Sequence, residues 1–162
     1  MKKLVLIILL SVSSHMFANA YFDLIPSEYL ITCMKIQFSY EIPSKYLYTL
    51  PEIESNWDET ALSHANSYGL TQINLKYVDY FVENFWIHDY RFDIHNPHHN
   101  LELGFAYLRH LKNRLGTWEL ALNAYNAGET TVRNVLAGEG EYPQETINYI
   151  KKFRKLGVNF SE

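Results

Sequence analysis

Residues 47–57 read Leu-Tyr-Thr-Leu-Pro-Glu-Ile-Glu-Ser-Asn-Trp (LYTLPEIESNW). Tyr46, Leu50, Ile53 and Trp57 recur at helical spacing, so the stretch is expected to form an amphipathic helix. Two glutamates two residues apart interrupt its apolar character. On a wheel of about 100° per residue, Glu54 lies about 20° from Leu47 and about 40° from Leu50, whereas Glu52 lies about 160° from Leu50. Glu52 is therefore expected in solvent and Glu54 among apolar side chains. A carboxyl group placed there loses hydration, which favours its protonated form and raises its pKa. An acid still protonated near neutral pH is what proton donation to a glycosidic oxygen requires. A half-buried glutamate at a helix end can equally serve only to accept hydrogen bonds from the next loop, and the wheel leaves both readings open. Pro51 removes one backbone donor and crowds the carbonyl of Leu47, so a kink one turn before Glu54 is expected.

Outward from this helix, the chain is rich in helical signals and poor in strand signals. A helix is expected from Ser27 to about Tyr40, and Ser44, after Pro43, is the expected N-cap of the Glu54 helix. Residues 58–74 lose the apolar rhythm and contain Ser63, Asn66, Ser67 and Gly69, so they read as an irregular loop. Leu75 to Phe85 is expected to be helical. Asn96-Pro97 opens a further helix with proline at its first position. Leu101, Phe105, Leu108, Leu111 and Leu115 mark its apolar face, and Gly116 ends it. Trp118 to Ala127 reads as a short helix closed by Gly128. Gln144 to Leu156 reads as the last one, with Ile147, Ile150, Phe153 and Tyr149 turned inward. The fold class is mainly α, with one irregular or β-like loop region.

Lys2, Lys3, the apolar run Leu4–Val12 and the Ala18-Asn19-Ala20 site read as a secretory signal peptide over residues 1–20, followed by one domain over 21–162. The apolar run is short of the about 20 residues that a spanning helix needs, so no permanent membrane anchor is expected. The expected location is periplasmic or secreted. The chain has 162 residues and a formal net charge of −4; removing residues 1–20 takes away two lysines and no acids, giving −6. That acidity argues against a nucleic-acid partner, which needs a basic footprint. Cys33 is the only cysteine, so no internal disulfide forms, and it reads as a small buried apolar residue. Thirteen tyrosines and three tryptophans supply flat amphipathic rings that suit both a core and sugar faces.

Four blocks stand in order along the chain: ESNWDETALSHANSYGLTQIN (Glu54 to Asn74), NLELGFAYLRHL (Asn100 to Leu111), ELALNAYNAG (Glu119 to Gly128) and PQETINYIKKF (Pro143 to Phe153). Together they resemble the bacterial lytic transglycosylases with a soluble-transglycosylase, goose-lysozyme-like domain, over about residues 30–157. The resemblance implies a lysozyme-like helical fold with a groove for peptidoglycan glycan strands. It implies cleavage of the β-1,4 bond between N-acetylmuramic acid and N-acetylglucosamine, with Glu54 as the single acid/base and no cofactor. By the same match Tyr125 and Asn126 (AYNAG) stand beside the glutamate, and Tyr125 is expected to steady Glu54 by a hydrogen bond. Tyr125 also reads as a core tyrosine on a short helix. Ser63, Gly69, Leu70, Gln72 and Asn74 match the loop that lines the groove, and Tyr149 matches a tyrosine of the closing helix that faces the cleft. The compact size is similar to members that accompany secretion, conjugation or pilus machinery. Three positions depart from the family's wording: Thr71 stands where GLMQ has methionine, Asn123 replaces a small residue, and Pro51 is unusual in the glutamate helix.

Many glycosidases flank the bond with two carboxylates. Asp58 and Glu59 follow Glu54 closely, but Asn56 to Thr60 reads as a helix exit, so both are expected in water. A single-glutamate mechanism follows. His95, His98 and His99 (HNPHH) straddle a helix start and need not converge, so no metal site is expected. Lys151, Lys152, Arg154 and Lys155 read as a solvated basic face near a helix C-terminus, or as a docking patch for the acidic stems of the cell wall. A muramidase-type hydrolase on the same fold and a non-catalytic glycan-binding scaffold are the competing functions.

Overall fold

The computed structural model describes residues 20–160. The expected signal segment therefore lies, except for Ala20, outside the described residues. Helix α1 (Ser27–Tyr40) and α2 (Ser44–Ser55) lead into a loop that carries a two-stranded antiparallel hairpin, β1 (Ser67–Tyr68) with β2 (Ile73–Asn74). Ser67 pairs with Asn74 and Tyr68 with Ile73. A 3-10 turn (Leu75–Tyr77) runs into α3 (Val78–Phe85), and four helices complete the chain: α4 (Pro97–Leu115), α5 (Trp118–Ala127), α6 (Glu129–Leu136) and α7 (Gln144–Lys155).

Helix α4 is the hub. Asn96 caps it by accepting from the backbone N–H of His98 at 3.0 Å, and Pro97 stands where a backbone donor is not needed. Leu101, Phe105, Leu108 and Leu111 are fully buried, as their spacing predicts. They meet α1, α3 and α5, while α5 packs in turn on α6 and α7. The core joins Cys33 and Ile36 of α1, Leu47 and Leu50 of α2, and Tyr149, Ile150 and Phe153 of α7. Cys33 is a buried apolar packing element, and burial pushes its thiol up to about 12.

The observed elements correct the sequence reading at three places and decide it at a fourth. Ser44 is the first helical residue and not the cap; Pro43 holds the cap position with no side-chain hydrogen bond. Of the two readings of the stretch 58–74, irregular or β-like, the second holds for its end, where cross-strand pairing closes a hairpin. Ile147 is 39% exposed, because α7 turns inward the stripe of Thr146, Tyr149, Ile150 and Phe153, and Ile147 falls off its edge. Helix α6 has no counterpart in the sequence reading: Val132, Val135 and Leu136 stand at helical spacing, a signal confined to one short turn of an eight-residue segment, and of the eight only Val132 is buried.

The exit of α2 fixes where Glu54 points. Asn56 and Trp57 both adopt positive φ, 54° and 60°, a region costly for residues with a Cβ. Stacking holds Trp57 in this conformation: its ring lies 5.6 Å from that of Tyr29 and 6.3 Å from that of Tyr48. The helix stops abruptly, and its last turn faces the hairpin loop.

Candidate active site

A cleft of about 530 Å³ runs between α2, the hairpin loop, α5 and α7. Glu54 lines it, together with Ser63, Gln72, Asn74, Tyr125, Asn126 and Tyr149. Seven of the nine sequence-derived site residues thus converge on one concavity. Gly69 and Leu70 do not: both are buried behind the loop, Leu70 with no exposure. Gly69 has φ +79°, and a Cβ there would meet the Asn100 side-chain nitrogen at 2.4 Å, so glycine is required by backbone and packing together. The two residues shape the wall and do not line it.

Glu54 is half-buried, and its carboxyl has one hydrogen bond, from the Tyr149 hydroxyl to Oε1 at 2.5 Å. Loss of hydration raises its pKa to about 7; the Tyr149 bond and the charge of Lys152 pull the value down, and Glu145 pushes it up. The group therefore exchanges its proton near neutral pH. Glu52, one turn-face away, is partly covered beside Tyr48 and lies outside the cleft lining.

The hydrogen bond expected from Tyr125 comes from Tyr149. The Tyr125 hydroxyl donates instead to the backbone carbonyl of Thr71 at 2.8 Å. Tyr125 remains close enough for the Glu54 charge to add to burial in holding its phenol neutral. Spacing could not make this choice, because the two tyrosines sit on different helices and both face the same glutamate.

Several cleft residues hold the frame as well as lining it. Gln72, at φ 51°, donates through its side-chain nitrogen to the carbonyls of Gly69 (2.9 Å) and Ala61 (3.1 Å). Ser63 Oγ accepts from the Ser67 backbone at 3.0 Å. Asn74 donates to the Ala65 carbonyl and caps the 3-10 turn. Asn126 Oδ1 accepts from the buried Thr146 hydroxyl at 2.8 Å, tying α5 to α7. Ser55 Oγ lies 3.0 Å from the Leu70 carbonyl, which fastens the end of α2 to the loop.

Thr71, which stands where the family's wording has methionine, is fully buried. Its backbone N–H donates to Asn100 Oδ1 at 2.9 Å, and its hydroxyl reaches Asn100 Oδ1 and the Asn100 carbonyl at 2.8 and 2.9 Å. Gly104, one turn further along α4, leaves room for it: a Cβ at Gly104 would lie 2.4 Å from Thr71 Oγ1. Asn123 likewise spends its amide inside its own helix, donating to the Glu119 carbonyl at 2.8 Å.

Sequence reading missed a group of lining residues. Tyr77 and Phe81 come from the 3-10 turn and α3, Tyr107 from α4, and Glu145 and Lys152 from α7. Lys152 belongs to the basic run that reads as a solvated face or as a docking patch for acidic stems, not as part of the groove lining. Its spacing of three from Tyr149 was the available signal, since both lie on one helical stripe. Asp58 and Glu59 are exposed; Asp58 binds Thr60, and Glu59 accepts from Tyr29 at 2.7 Å. The histidines are dispersed: His95 packs edge-on against Tyr68, His98 Nδ1 sits 2.8 Å from Thr32 Oγ1, and His99 Nδ1 accepts from the Asp93 backbone.

A helical domain with a small hairpin standing over an acid-bearing cleft is a lysozyme-like fold. The family model of the Transglycosylase SLT domain matches residues 32–148, and the chain belongs to that family. Among solved structures, the 70-kDa soluble lytic transglycosylase Slt70 of Escherichia coli is similar with a TM-score of 0.71 and 25% identity, over 79% of this chain and 23% of that one. The 70-kDa soluble lytic transglycosylase in complex with bulgecin A is similar with a TM-score of 0.71 and 26% identity, over 81% and 24%. An inactive mutant of the lytic transglycosylase Slt from Pseudomonas aeruginosa shares the fold with a TM-score of 0.70 and 23% identity, over 82% and 24%. The chain spans about a quarter of the length of these structures. No curated protein matches it.

Proposed function

We propose that this chain is a peptidoglycan lytic transglycosylase that cleaves the β-1,4 bond between N-acetylmuramic acid and N-acetylglucosamine, with Glu54 as its single acid/base. The observation that carries the reading is the Glu54 carboxyl: it lines the cleft, has one hydrogen bond, and has a pKa raised to about 7 by lost hydration. Family membership and the similar lytic transglycosylases supply the reaction class. The Pseudomonas aeruginosa protein is an inactive variant with glutamine in place of a glutamate, which fits a mechanism that depends on one carboxyl group.

In the proposed sequence protonated Glu54 gives its proton to the bridging oxygen as the C1–O bond breaks. The acetamido carbonyl of the same muramic acid shares the positive charge at C1. Glu54, now a carboxylate, accepts the proton of the C6 hydroxyl while that oxygen bonds to C1, closing a 1,6-anhydro ring. No water is consumed, and the tethered hydroxyl has the advantage of proximity. Glu54 ends protonated, ready for the next turnover. Gln72, Asn74, Tyr125 and Asn126 line the space where the sugars lie. The domain is proposed to act as residues 21–162, in the periplasm or outside the cell, after loss of residues 1–20; among the described residues no helix is long and apolar enough to cross a membrane.

The test is digestion of purified sacculi with the purified protein, followed by mass spectrometry of the soluble products. Muropeptides ending in 1,6-anhydro-muramic acid are expected; reducing ends would assign a hydrolase instead, and the absence of release would refute both.

A further inference from the structure

Helix α7 carries Glu145, Tyr149 and Lys152 at spacings of four and three, which set all three on one stripe facing the cleft. Lys152 is the one cationic side chain among the described residues that lines it. Its basic neighbours serve elsewhere: Arg154 pairs with Glu119, and Lys151 and Lys155 are exposed outside the cleft. Lys152 itself forms no ion pair among the described residues, and Glu145, seven residues away, is about 10 Å along the helix axis. Its charge acts on Glu54, where it favours the ionised carboxylate.

We propose that Lys152 is a specificity residue of the cleft that pairs with a carboxylate carried by the muramic acid at the bond being cut. The carboxylate belongs either to the lactyl arm itself or to the peptide attached through that arm. This deepens the transglycosylase reading and rests on it. When Glu54 holds its proton, as the acid step requires, Lys152 faces a neutral carboxylic acid and its charge is uncompensated. A substrate carboxylate then gives this hydrated cation a partner within the cleft. It also offsets the pull of Lys152 on Glu54, so an anionic substrate favours the proton-donating form of the acid. A neutral glycan does neither. The side chain is exposed, so the pair is a modest one: the expected effect is roughly a two- to fivefold change in KM, weakened by salt.

The experiment compares wild type and Lys152→Gln on three probes at low and high ionic strength. Peptide-bearing strands and strands stripped by an amidase are cleaved substrates, and an oligomer of N-acetylglucosamine is a neutral competitor. The expected result is a KM raised in Lys152→Gln on one or both carboxylate-bearing strands, no longer sensitive to salt, with the Ki of the neutral oligomer unchanged. A rise confined to peptide-bearing strands assigns the stem carboxylates; a rise confined to stripped strands assigns the lactyl carboxylate, which is a neutral amide wherever a stem is attached; a rise on both shows that Lys152 pairs with either. Equal KM on all probes overturns the proposal. So does a change in kcat and in the alkaline pH limb with KM untouched, which would make Lys152 a tuner of Glu54 alone. Failure of wild type to cleave either strand would instead strike the transglycosylase reading.

Discussion

Glu54 and the Thr71–Asn100 pair are both polar groups withdrawn from water beside the same cleft, and they are held in opposite ways. Around Thr71 and Asn100 every group finds a partner: the Asn100 amide donates to the Tyr68 carbonyl, its oxygen accepts from the Thr71 backbone, and the Thr71 carbonyl accepts from Tyr125. Glu54 has one donor, Tyr149, for a carboxyl that could accept several. A satisfied neutral network stabilises and specifies; an under-satisfied ionisable group destabilises its charged form and stays reactive. The pair sets the hairpin against α4, and the glutamate is left holding its proton up to near neutral pH.

Replacing Glu54 tests this division most severely. Glu54→Gln is expected to lower strand cleavage by a factor on the order of 10² to 10⁴, the usual contribution of general acid–base catalysis. The same substitution should stabilise the fold at alkaline pH. The carboxyl has a pKa of about 7 when folded against 4.5 as the ordinary value. Below the lower value both states are protonated and nothing is lost. Between pH 4.5 and 7 the unfolded chain releases its proton first, so wild-type stability falls as pH rises, by at most about 3 kcal/mol. Thermal melts should show the variant ahead of wild type at pH 8 and level with it at pH 4. Parallel profiles at both pH values would mean that Glu54 is hydrated in the folded protein.

This difference in how the groups are held also explains what the sequence makes legible. The helices that carry a full apolar stripe, α4 above all, are written in periodicity, and so is the inward aim of Glu54. Of the nine residues named from local wording, seven line the cleft. What was not legible depends on three-dimensional pairing. Nothing in GLTQ states that Thr71 turns away from the groove, because the cause is an asparagine 29 residues later and a glycine at 104. Nothing in AYNAG or in NYIKK decides which tyrosine reaches the acid. Lys152 hides within a run of like charges whose other members face elsewhere.

The satisfied side should fail differently. Asn100→Ala strands the Thr71 backbone N–H and the Tyr68 carbonyl, while the Thr71 hydroxyl keeps the backbone carbonyl of residue 100, and is expected to cost about 2–3 kcal/mol. Gly104→Ala, which forces a methyl group into Thr71 Oγ1, is expected to cost about 1–3 kcal/mol. Urea denaturation measures both. The alkaline limb of the pH–rate profile should stay in place for whichever variant remains folded at the assay temperature, since neither residue touches Glu54. A displaced limb would show that the network and the acid are one unit.

The smallest effect separates the two tyrosines. Tyr149→Phe removes the hydrogen bond that lowers the Glu54 pKa, so the acid should hold its proton to higher pH and the alkaline limb should move upward. The rate below that limb should drop about fivefold or less, as the carboxyl loses one positioning contact. Tyr125→Phe removes a bond to the Thr71 carbonyl, which belongs to the structural network. It is expected to lower stability by about 1 kcal/mol and to leave the limb where it is. If Tyr125→Phe moves the limb and Tyr149→Phe does not, the phenol that governs the acid during catalysis is the one on α5. The cleft would then rearrange on binding substrate, and the hydrogen bond from α7 would describe only the resting enzyme.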